Sequence, residues 1–437
     1  MRIDKLRLQN FKKFSSQEFE FHPQFTLLVG ENGAGKTSVL DALAIAAGIW
    51  LAEPPDSKLV SSRRNILPQE IRLEPQPKPE RIQFLEKRPV QIIATGMIAG
   101  REDITWIRQI REQRTRTTNA DAKECLALVK DIYDRDAEGQ NVLCPVVAYY
   151  GAGRAWLPSN ERLPKGKANG PARRWEAFYD CFSERIRFSD LNQWFRNETT
   201  ERGNHAGRWR PGADVVRRVI IECIPEATDI WFDTDQDQIV IVIAGNAQPF
   251  DNLSAGQRML LAMVADLAIR VVTQNAYLLP AEVLGDEDLP LPRVLRQTPG
   301  LVLIDELDVH LHPIWQRRIV HDLKRLFPSI QFICASHSPQ LIGELKPEEI
   351  LLLRDGQPSH PVQSYGMDSN WVVEVIMGGS KINSEVKGRL DQIFKLLQEK
   401  NLAEAERNAL TLRGEIGNSE YLQRAISMID RIKVLGR

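Results

Sequence analysis

The sequence predicts an α/β protein with a mixed sheet that is parallel in part. An apolar run at residues 25–29 leads through a glycine-rich turn into an apolar helix at 37–48. Two further apolar runs, at 301–304 and 331–335, flank a helical stretch at 313–327, and this order is typical of a β-α-β unit. Because such a connection joins parallel strands, these runs are predicted to lie in one sheet.

Further strands and helices are predicted around this core. Apolar alternation and β-branched runs predict strands at 3–11, 19–21, 90–110, 142–150 and 230–243. Helical spacing predicts helices at 119–133, 254–273 and 381–437. The proline-rich polar stretch at 54–79 is predicted to be a loop or an insertion.

These elements divide the chain into four predicted segments, although 437 residues alone would fit two or three domains. The segments are an α/β lobe at 1–150, an inserted helical lobe with basic and aromatic residues at 151–224, a second α/β lobe at 225–380, and a helical C-terminal element at 381–437. The two α/β lobes are predicted to form one split head.

The composition excludes some classes of protein. Lys and Arg (57) nearly balance Asp and Glu (58), which excludes a histone-like polycation but leaves room for a local basic groove. The five cysteines form no CxxC pair, and their apolar neighbours indicate buried free thiols in a reducing compartment. The apolar run at 39–52 is too short to cross a bilayer, and no signal peptide precedes the first strand. A cytoplasmic protein without membrane contact is therefore expected.

A phosphate-binding turn follows the first buried strand. Residues 30–37, Gly-Glu-Asn-Gly-Ala-Gly-Lys-Thr, match G-x-x-x-x-G-K-[ST] between a strand and a helix, which is the context that this motif requires. Its glycines let backbone N–H groups turn towards phosphates, and the helix N-terminus adds a favourable dipole. Lys36 is predicted to reach the β- and γ-phosphates, and the Thr37 hydroxyl to bind Mg²⁺. The predicted nucleotide contacts are Asn32, Gly33, Ala34, Gly35, Lys36, Thr37 and Ser38.

An acidic pair completes the predicted site. The apolar run at 301–304 ends in Asp305 and Glu306, at the carboxyl edge of a parallel sheet, where ligands bind. Asp305 is predicted to join Thr37 in binding the magnesium ion. Glu306 is predicted to orient or deprotonate the attacking water.

A second helix start also fits an anion site. Residues 253–258, Leu-Ser-Ala-Gly-Gln-Arg, open an apolar helix, and Ser254 fits its N-cap. Ala255 and Gly256 allow a close approach of the backbone to an anion. The segment alone fits a plain helix cap equally well, but beside the first helix start it indicates a nucleotide held from two sides.

With these motifs in this order, the chain resembles the ABC-type ATPases. Residues 253–257 are similar to the L-S-G-G-Q signature of that superfamily, with Ala255 in place of a glycine. Residues 336–339, Ser-His-Ser-Pro, stand where that superfamily has its switch histidine. The resemblance implies that the cofactors are ATP and Mg²⁺ and that His337 contacts the γ-phosphate.

The same resemblance implies a homodimer. In ABC-type ATPases two heads pair head-to-tail, and the signature of one head closes the phosphate-binding turn of the other. Ser254, Gly256 and Gln257 would then contact the nucleotide of the partner copy, so that two nucleotides are sandwiched between two chains.

Within the superfamily, the chain is similar to the branch that contains RecF, SMC and OLD-type ATPases. The opening residues 6–12, Leu-Arg-Leu-Gln-Asn-Phe-Lys, and the phosphate-binding turn follow the style of that branch, in which Lys12 and Lys13 would touch nucleotide phosphates. Residues 149–154, Tyr-Tyr-Gly-Ala-Gly-Arg, and the helical tail resemble compact antiphage-defence ATPases, namely the ATPase subunit of Septu systems and its retron-associated relatives.

Two departures from the ABC pattern bear on how the lobes are coupled. A Q-loop glutamine is expected after the strand at 142–150, but the sequence there continues Gly-Ala-Gly-Arg. No long arm separates the lobes, and no heptad repeat is long enough for one, so DNA tethering by a rod is not expected.

A basic and aromatic segment offers a candidate nucleic-acid surface. Residues 154–218 contain 14 basic and 8 acidic side chains, with aromatic residues among them. Basic groups and stacking rings are typical of contact with DNA or RNA, although aromatic residues at helical spacing also form cores. The predicted contacts are Arg173, Arg174, Arg208 and Arg210. The acidic stretch at 226–251 fits either a solvated hairpin or a docking surface for a basic partner.

The resemblance implies a role in antiphage defence, in which the ATPase dimer regulates a partner effector. A separate nuclease subunit is predicted as that partner, with the helices at 381–437 as its docking surface. Two alternatives stay open: a RecF-type repair ATPase acting on gapped or broken DNA, and a nucleotide sensor with little hydrolysis. A higher oligomer is also left open.

Overall fold

The computed structural model describes residues 1–78, 81–155, 174–184, 186, 188–204, 207–279, 291–354, 356–380 and 382–435. The strands are β1 Arg2–Phe11, β2 Phe14–Glu20, β3 Phe25–Val29, β4 Leu73–Lys78, β5 Arg81–Glu86, β6 Val90–Ile98, β7 Arg101–Ile110, β8 Val146–Tyr150, β9 Ala227–Asp233, β10 Gln238–Ile243, β11 Asn246–Pro249, β12 Gly300–Ile304, β13 Ile330–Ala335, β14 Ile350–Arg354 and β15 Gln357–Ser359.

The α-helices are α1 Lys36–Ala47, α2 Lys123–Ala137, α3 Phe188–Asn204, α4 Pro211–Cys223, α5 Ala255–Gln274, α6 Arg293–Gln297, α7 Pro313–Leu326, α8 Pro339–Gly343, α9 Ser369–Trp371, α10 Ser384–Gln398, α11 Leu402–Ile416 and α12 Glu420–Leu435. The chain divides into two compact units, Met1–Met367 and Asp368–Arg437.

The first unit is built on a six-stranded sheet in the order β15-β14-β3-β13-β12-β8. Its neighbouring strands are parallel except for β15, which runs antiparallel at one edge. Strands β12 and β13 are connected through α7 and pair in parallel register, so the predicted β-α-β unit is confirmed. All residues of β3, β8, β12 and β13 are buried, as expected of parallel strands covered on both faces.

Helix α1 lies between this sheet and a second, antiparallel sheet in the order β2-β1-β6-β7. It contacts β12 and β13 on one side and β1, β6 and β7 on the other. Ten of its twelve residues are buried, which explains why its sequence is apolar all round rather than on one face.

The helical part of the first unit includes α3, α4 and α5, and α4 packs along α5. A three-stranded antiparallel sheet, β11-β10-β9, lies against α3 and α4. The second unit contains α9 to α12, with a π-helical turn at Val372–Ile376 after α9. Its last three helices enclose a small core of Leu390, Ile393, Leu396, Leu397, Ala405, Ala409, Leu412, Leu422, Ala425 and Ile429.

The prediction of an α/β head with helical elements is confirmed, but the proline-rich stretch is not wholly a loop. Strand β4 lies within it and pairs with β5, so that Pro75 stands opposite Phe84 and Pro77 opposite Ile82. Proline lacks an N–H donor and is tolerated in edge strands, which is why a strand forms here against the sequence signal.

Among the described residues, no helix combines the length and the apolar character needed to cross a membrane.

Candidate nucleotide site

The phosphate-binding turn connects β3 to α1, and two of its glycines occupy the left-handed region. Gly33 has φ 80° and Gly35 has φ 107°, conformations that residues with a Cβ rarely adopt. A Cβ on Gly30 would come within 2.5 Å of the carbonyl oxygen of Leu353 in β14. Backbone geometry and packing therefore both require glycine in this turn.

Lys36 opens α1 and is only 8% exposed. Its Nζ donates to the carbonyl oxygens of Gly30 at 2.8 Å and of Glu31 at 3.1 Å. Burial lowers the pKa of Lys36, and the acidic groups at 305–308 oppose that shift. The amino group thus lies between the turn and the acidic strand end, where a phosphate would supply its counter-charge.

Thr37 and Asp305 come together although they are far apart in sequence. Thr37 Oγ1 donates to Oδ2 of Asp305 at 2.8 Å, and Asp305 is 5% exposed. The N–H of Asp305 donates to the carbonyl oxygen of Tyr150 at 2.8 Å, which fixes the end of β12 against β8. A hydroxyl and a carboxylate are oxygen ligands of the kind that Mg²⁺ takes, so the pair fits the predicted metal role.

Glu306 follows at the turn that ends β12. Its side chain is exposed, its φ is 49°, and its N–H donates to Oδ1 of Asp305 at 3.1 Å. A left-handed conformation at a residue with a side chain costs about 1–2 kcal/mol, and such strain clusters at functional sites. The charge of Glu306 acts on both Lys36 and His337, which places the predicted general base beside the predicted phosphate-binding residues.

His337 is half-buried after β13. Burial and the positive charge of Lys36 lower its pKa, although the acidic groups at 305–308 act in the opposite direction. The lowered pKa favours the neutral imidazole, which can donate one N–H to a phosphate oxygen.

Hydrogen bonds that the sequence did not predict hold the loop at 336–339. Ser336 Oγ donates to Oδ1 of Asp308 at 2.5 Å, and Ser338 Oγ donates to Oε1 of Gln316 at 2.7 Å. Nε2 of Gln316 also donates to two carbonyl oxygens of the turn after β12. Gln316, on the first turn of α7, therefore links that turn to the loop of the switch histidine.

The signature segment forms a capping box at the start of α5. The N–H of Gln257 donates to Oγ of Ser254 at 3.2 Å, and the N–H of Ser254 donates to Oε1 of Gln257 at 2.9 Å. A Cβ on Gly256 would come within 2.1 Å of the carbonyl oxygen of His310. Gly256 is therefore required by packing against the turn after β12, while Ser254 remains exposed at the helix start.

The two lysines after β1 have different surroundings. Lys13 Nζ donates to the carbonyl oxygen of Gly33 at 2.7 Å, so it lies on the phosphate-binding turn. Lys12 pairs with Asp41 of α1 and lies 3.7 Å from Glu70. The structure thus brings Lys13 to the site, whereas a phosphate contact by Lys12 would have to compete with two carboxylates.

Arg174 has a structural role in place of the predicted contact with nucleic acid. Its side chain is 17% exposed, and Nε donates to the carbonyl oxygen of Gln274 at 2.6 Å. It also donates to the carbonyl oxygen of Val142 and pairs with Asp136. These bonds join α5, α2 and the segment before β8, and they leave little of the guanidinium for an outside ligand.

The other three arginines that were predicted to contact nucleic acid differ in their surroundings. Arg210 pairs with Glu198, which is buried, through an Nε–Oε2 bond of 2.9 Å. Arg208 is exposed, and Arg173 lies outside the described residues. Contact of this lobe with nucleic acid stays a prediction.

The acidic stretch meets basic residues of its own chain. Asp229 in β9 pairs with Arg217 of α4, and Asp237 in the turn after β9 pairs with Arg196 of α3. Some of the opposite charges that balance in the total are therefore paired with each other inside the first unit.

Two family models match separate parts of the chain, and both are described as AAA domains. One, described as an AAA domain, matches residues 5–201, and the other, described as an AAA domain, putative AbiEii toxin, Type IV TA system, matches residues 244–343. The first range contains the phosphate-binding turn, and the second contains the signature, the acidic pair and the switch histidine.

Curated relatives include ATPases of two kinds of system. The Retron Vc95 probable ATPase of Vibrio cholerae serotype O1 biovar El Tor is 24% identical, with 81% of this chain and 74% of that protein covered. The Retron Ec83 probable ATPase of Escherichia coli is 38% identical over 36% of this chain and 26% of that protein. The Septu protein PtuA of Bacillus mycoides (strain KBAB4) is 23% identical over 81% of this chain and 41% of that protein. The matches thus span less than half the length of the last two relatives.

Among solved structures, the SMC head bound to the C-winged helix domain of ScpA matches with a TM-score of 0.47 at 16% identity, over 83% of this chain and 98% of that one. The nucleotide motifs, their assembly at one sheet edge and the curated relatives define the chain as an ABC-type ATPase. Within that class it is similar to the ATPases of retron and Septu systems.

Proposed function

We propose that the chain binds Mg·ATP, pairs head-to-tail with a second copy around two nucleotides, and uses hydrolysis to regulate a partner effector of the nuclease class. The observation that carries the nucleotide part is the 2.8 Å bond between Thr37 Oγ1 and Asp305 Oδ2, beside the buried amino group of Lys36. Lys36 and Thr37 come early in the sequence of the first unit and Asp305 comes late, so the fold of the unit is needed to bring them together.

Each residue of the site has a role that follows from its chemistry. Lys36 neutralises the β- and γ-phosphates, and Thr37 and Asp305 supply oxygen ligands to magnesium. Magnesium, when bound, neutralises charge that develops on the phosphates. Glu306 accepts a proton from the attacking water, and neutral His337 donates an N–H to the γ-phosphate.

The signature at α5 supports the sandwich part of the proposal. Its capping box leaves Ser254 and Ala255 exposed at a helix N-terminus, which is a favourable site for a phosphate. The helix is fixed within its own chain by the contact of Gly256 with His310. An anion site that is exposed and already positioned fits a nucleotide carried by a second copy.

The partner part of the proposal rests on the resemblance to Septu and retron ATPases. We propose the helical unit Asp368–Arg437 as the docking element, because it has its own core of buried side chains and carries none of the nucleotide motifs. Among the described residues of this unit, the exposed large apolar side chains are Val375, Leu410, Met428 and Val434.

The sandwich is tested with Glu306→Gln, which keeps the shape of the side chain and removes the base. With ATP and Mg²⁺ this variant is expected to accumulate as a dimer, measured by light scattering, because hydrolysis no longer releases it. Glu306→Gln combined with Ser254→Ala is the control: it keeps the phosphate-binding turn, and its dimer is expected to be weaker. A Glu306→Gln chain that binds ATP and stays monomeric would refute the sandwich. A nuclease subunit that copurifies with the trapped dimer supports the partner part, and its failure to bind contradicts that part alone.

A further inference from the structure

Tyr150 ends β8, at the place where the sequence lacks the expected glutamine. It stands opposite Ile304 of β12, and its carbonyl oxygen accepts from the N–H of Asp305 at 2.8 Å. Its hydroxyl donates to Oδ2 of Asp266 in α5 at 2.7 Å. One buried residue thus contacts both the strand end of the proposed metal site and the helix that begins with the signature.

Arg270, one turn further along α5, holds Asp266 in place. Its Nε donates to the same Oδ2 of Asp266 at 2.7 Å. Its guanidinium also donates to the carbonyl oxygens of Ala177 at 2.6 Å and Tyr179 at 3.2 Å. The side chains of Arg270 and Asp266 are 15% and 24% exposed, so the carboxylate oxygen is fixed between two donors and mostly shielded from water.

The hydroxyl of Tyr150 donates to a carboxylate that is mostly shielded from water. Its acceptor is a carboxylate, and hydrogen bonds to charged groups are about twice as strong as those between neutral groups. Loss of the hydroxyl would leave a shielded carboxylate with one donor fewer.

We propose that Tyr150 is a positioning residue that couples the two nucleotide sites of the dimer. The inference rests on the proposed sandwich, in which the metal site of one copy serves its own ATP while its signature serves the ATP of the partner. Tyr150, Asp266 and Arg270, here called the tyrosine relay, join these two parts of one chain. A shift of Asp305 on nucleotide binding is transmitted through the carbonyl and hydroxyl of Tyr150 to α5, and α5 carries it to Ser254.

The test compares Tyr150→Phe with a matched control, Tyr133→Phe, in the full chain. Tyr133 is also buried, and its hydroxyl donates to the carbonyl oxygen of Trp50, away from the nucleotide residues. In Tyr150→Phe, ATP affinity is expected to stay within about twofold, while kcat falls about tenfold, as the loss of one charge-assisted bond would give. The wild-type Hill coefficient for ATP is expected to lie above about 1 and to be at most about 2. In Tyr150→Phe it is expected to fall to about 1. Tyr133→Phe is expected to keep the wild-type kcat and Hill coefficient.

Asp266→Asn provides a conservative variant. It keeps an oxygen that can accept from Tyr150 but loses the charge that Arg270 pairs with, so an intermediate kcat is expected. The kcat of Tyr150→Phe combined with Asp266→Asn is expected to be no lower than that of Tyr150→Phe alone, because loss of the hydroxyl has already broken the relay.

The relay is refuted if Tyr150→Phe keeps the wild-type kcat and Hill coefficient, or if Tyr133→Phe loses as much activity. Failure of the proposed function has a different signature, since a Glu306→Gln chain that binds ATP and stays monomeric overturns the sandwich itself. In that case the coupling of two sites is overturned with it, whatever the kcat of Tyr150→Phe.

Discussion

Helices α1 and α5 both begin at a glycine-containing turn, yet different parts of the molecule complete the two starts. At α1, Lys36 bonds to carbonyl oxygens of the turn and Thr37 bonds to Asp305, which is far away in sequence. At α5, Ser254 and Gln257 bond to each other within one turn of helix. The first start is a site assembled by the fold, and the second is a locally complete cap that stays exposed.

The glycines at the two starts are required for different reasons. Gly35 has φ 107°, which a side chain would strain. Gly256 lies inside α5, but the carbonyl oxygen of His310 leaves no room for a Cβ. A glycine in a nucleotide motif can therefore serve backbone conformation in one place and packing in another, and the motif alone does not distinguish the two.

The largest expected effect is that of Lys36→Ala. Removal of the charged amino group is expected to weaken Mg·ATP binding by at least about 100-fold, because charge-assisted bonds to the phosphates are lost. Titration calorimetry measures the change. Lys5→Ala is the control, since Lys5 lies in the same unit, is 53% exposed and pairs with Glu20. Unchanged affinity in Lys36→Ala would refute the assignment of the phosphate-binding turn.

Gly256→Ala tests the second glycine. The added methyl group is expected to lower the free energy of unfolding by about 1–3 kcal/mol, because backbone atoms must move to admit it. Urea unfolding measures this loss, and ATP affinity is expected to be unchanged. Gly203→Ala in α3 is the control: a Cβ there meets no atom within 4 Å, and a gain of about 0.4–1 kcal/mol is expected. If both variants are equally stable, contact with His310 does not explain the glycine.

The smallest expected effects are those of removing the hydroxyl of Ser254 or of Thr37, and the two changes are expected to act on different properties. Ser254→Ala is expected to cost about 1 kcal/mol of stability through the lost N-cap, with no change in the ATP affinity of the single chain. Thr37→Ala is expected to weaken ATP binding about tenfold with Mg²⁺ and to change it little with EDTA, because its role is metal binding. Equal effects of magnesium on both variants would contradict the comparison.

The sequence was sufficient for the parts of the site that are encoded locally. The phosphate-binding turn and the acidic pair follow buried strands, and the parallel register of β12 and β13 brings the acidic pair and the loop of His337 to one edge. Alternating and apolar runs also predicted β3, β8, β12 and β13 of the central sheet and strands at 90–110, where β6 and β7 pair, but they did not predict β14 and β15.

Contacts made by single side chains across the fold could not be predicted in this way. Tyr150 and Gln316 belong to no nucleotide-binding motif, and the packing of α5 and α7 determines their partners. The charge of Arg174 suggested a surface contact, but the fold uses most of its donors inside the protein. Two prolines made β4 look like a loop in the sequence. Proline lacks an N–H donor, but β4 pairs with β5 alone, so no second neighbouring strand needs that donor.

Helix α1 is enclosed by two sheets, and its two ends have different surroundings. At the carboxyl end, the buried guanidinium of Arg108 donates to the carbonyl oxygen of Ile45, and the indole of Trp106 donates to that of Ala46 at 3.0 Å. Water has little access along the helix to screen its peptide dipoles, and electrostatic interactions are stronger at low effective dielectric constant. The positive end of the dipole of α1, which lies at Lys36, therefore acts on the phosphate-binding turn with little screening by water. Polyphosphate binding is expected to depend on ionic strength less steeply than pairing of the same charges on an exposed surface would.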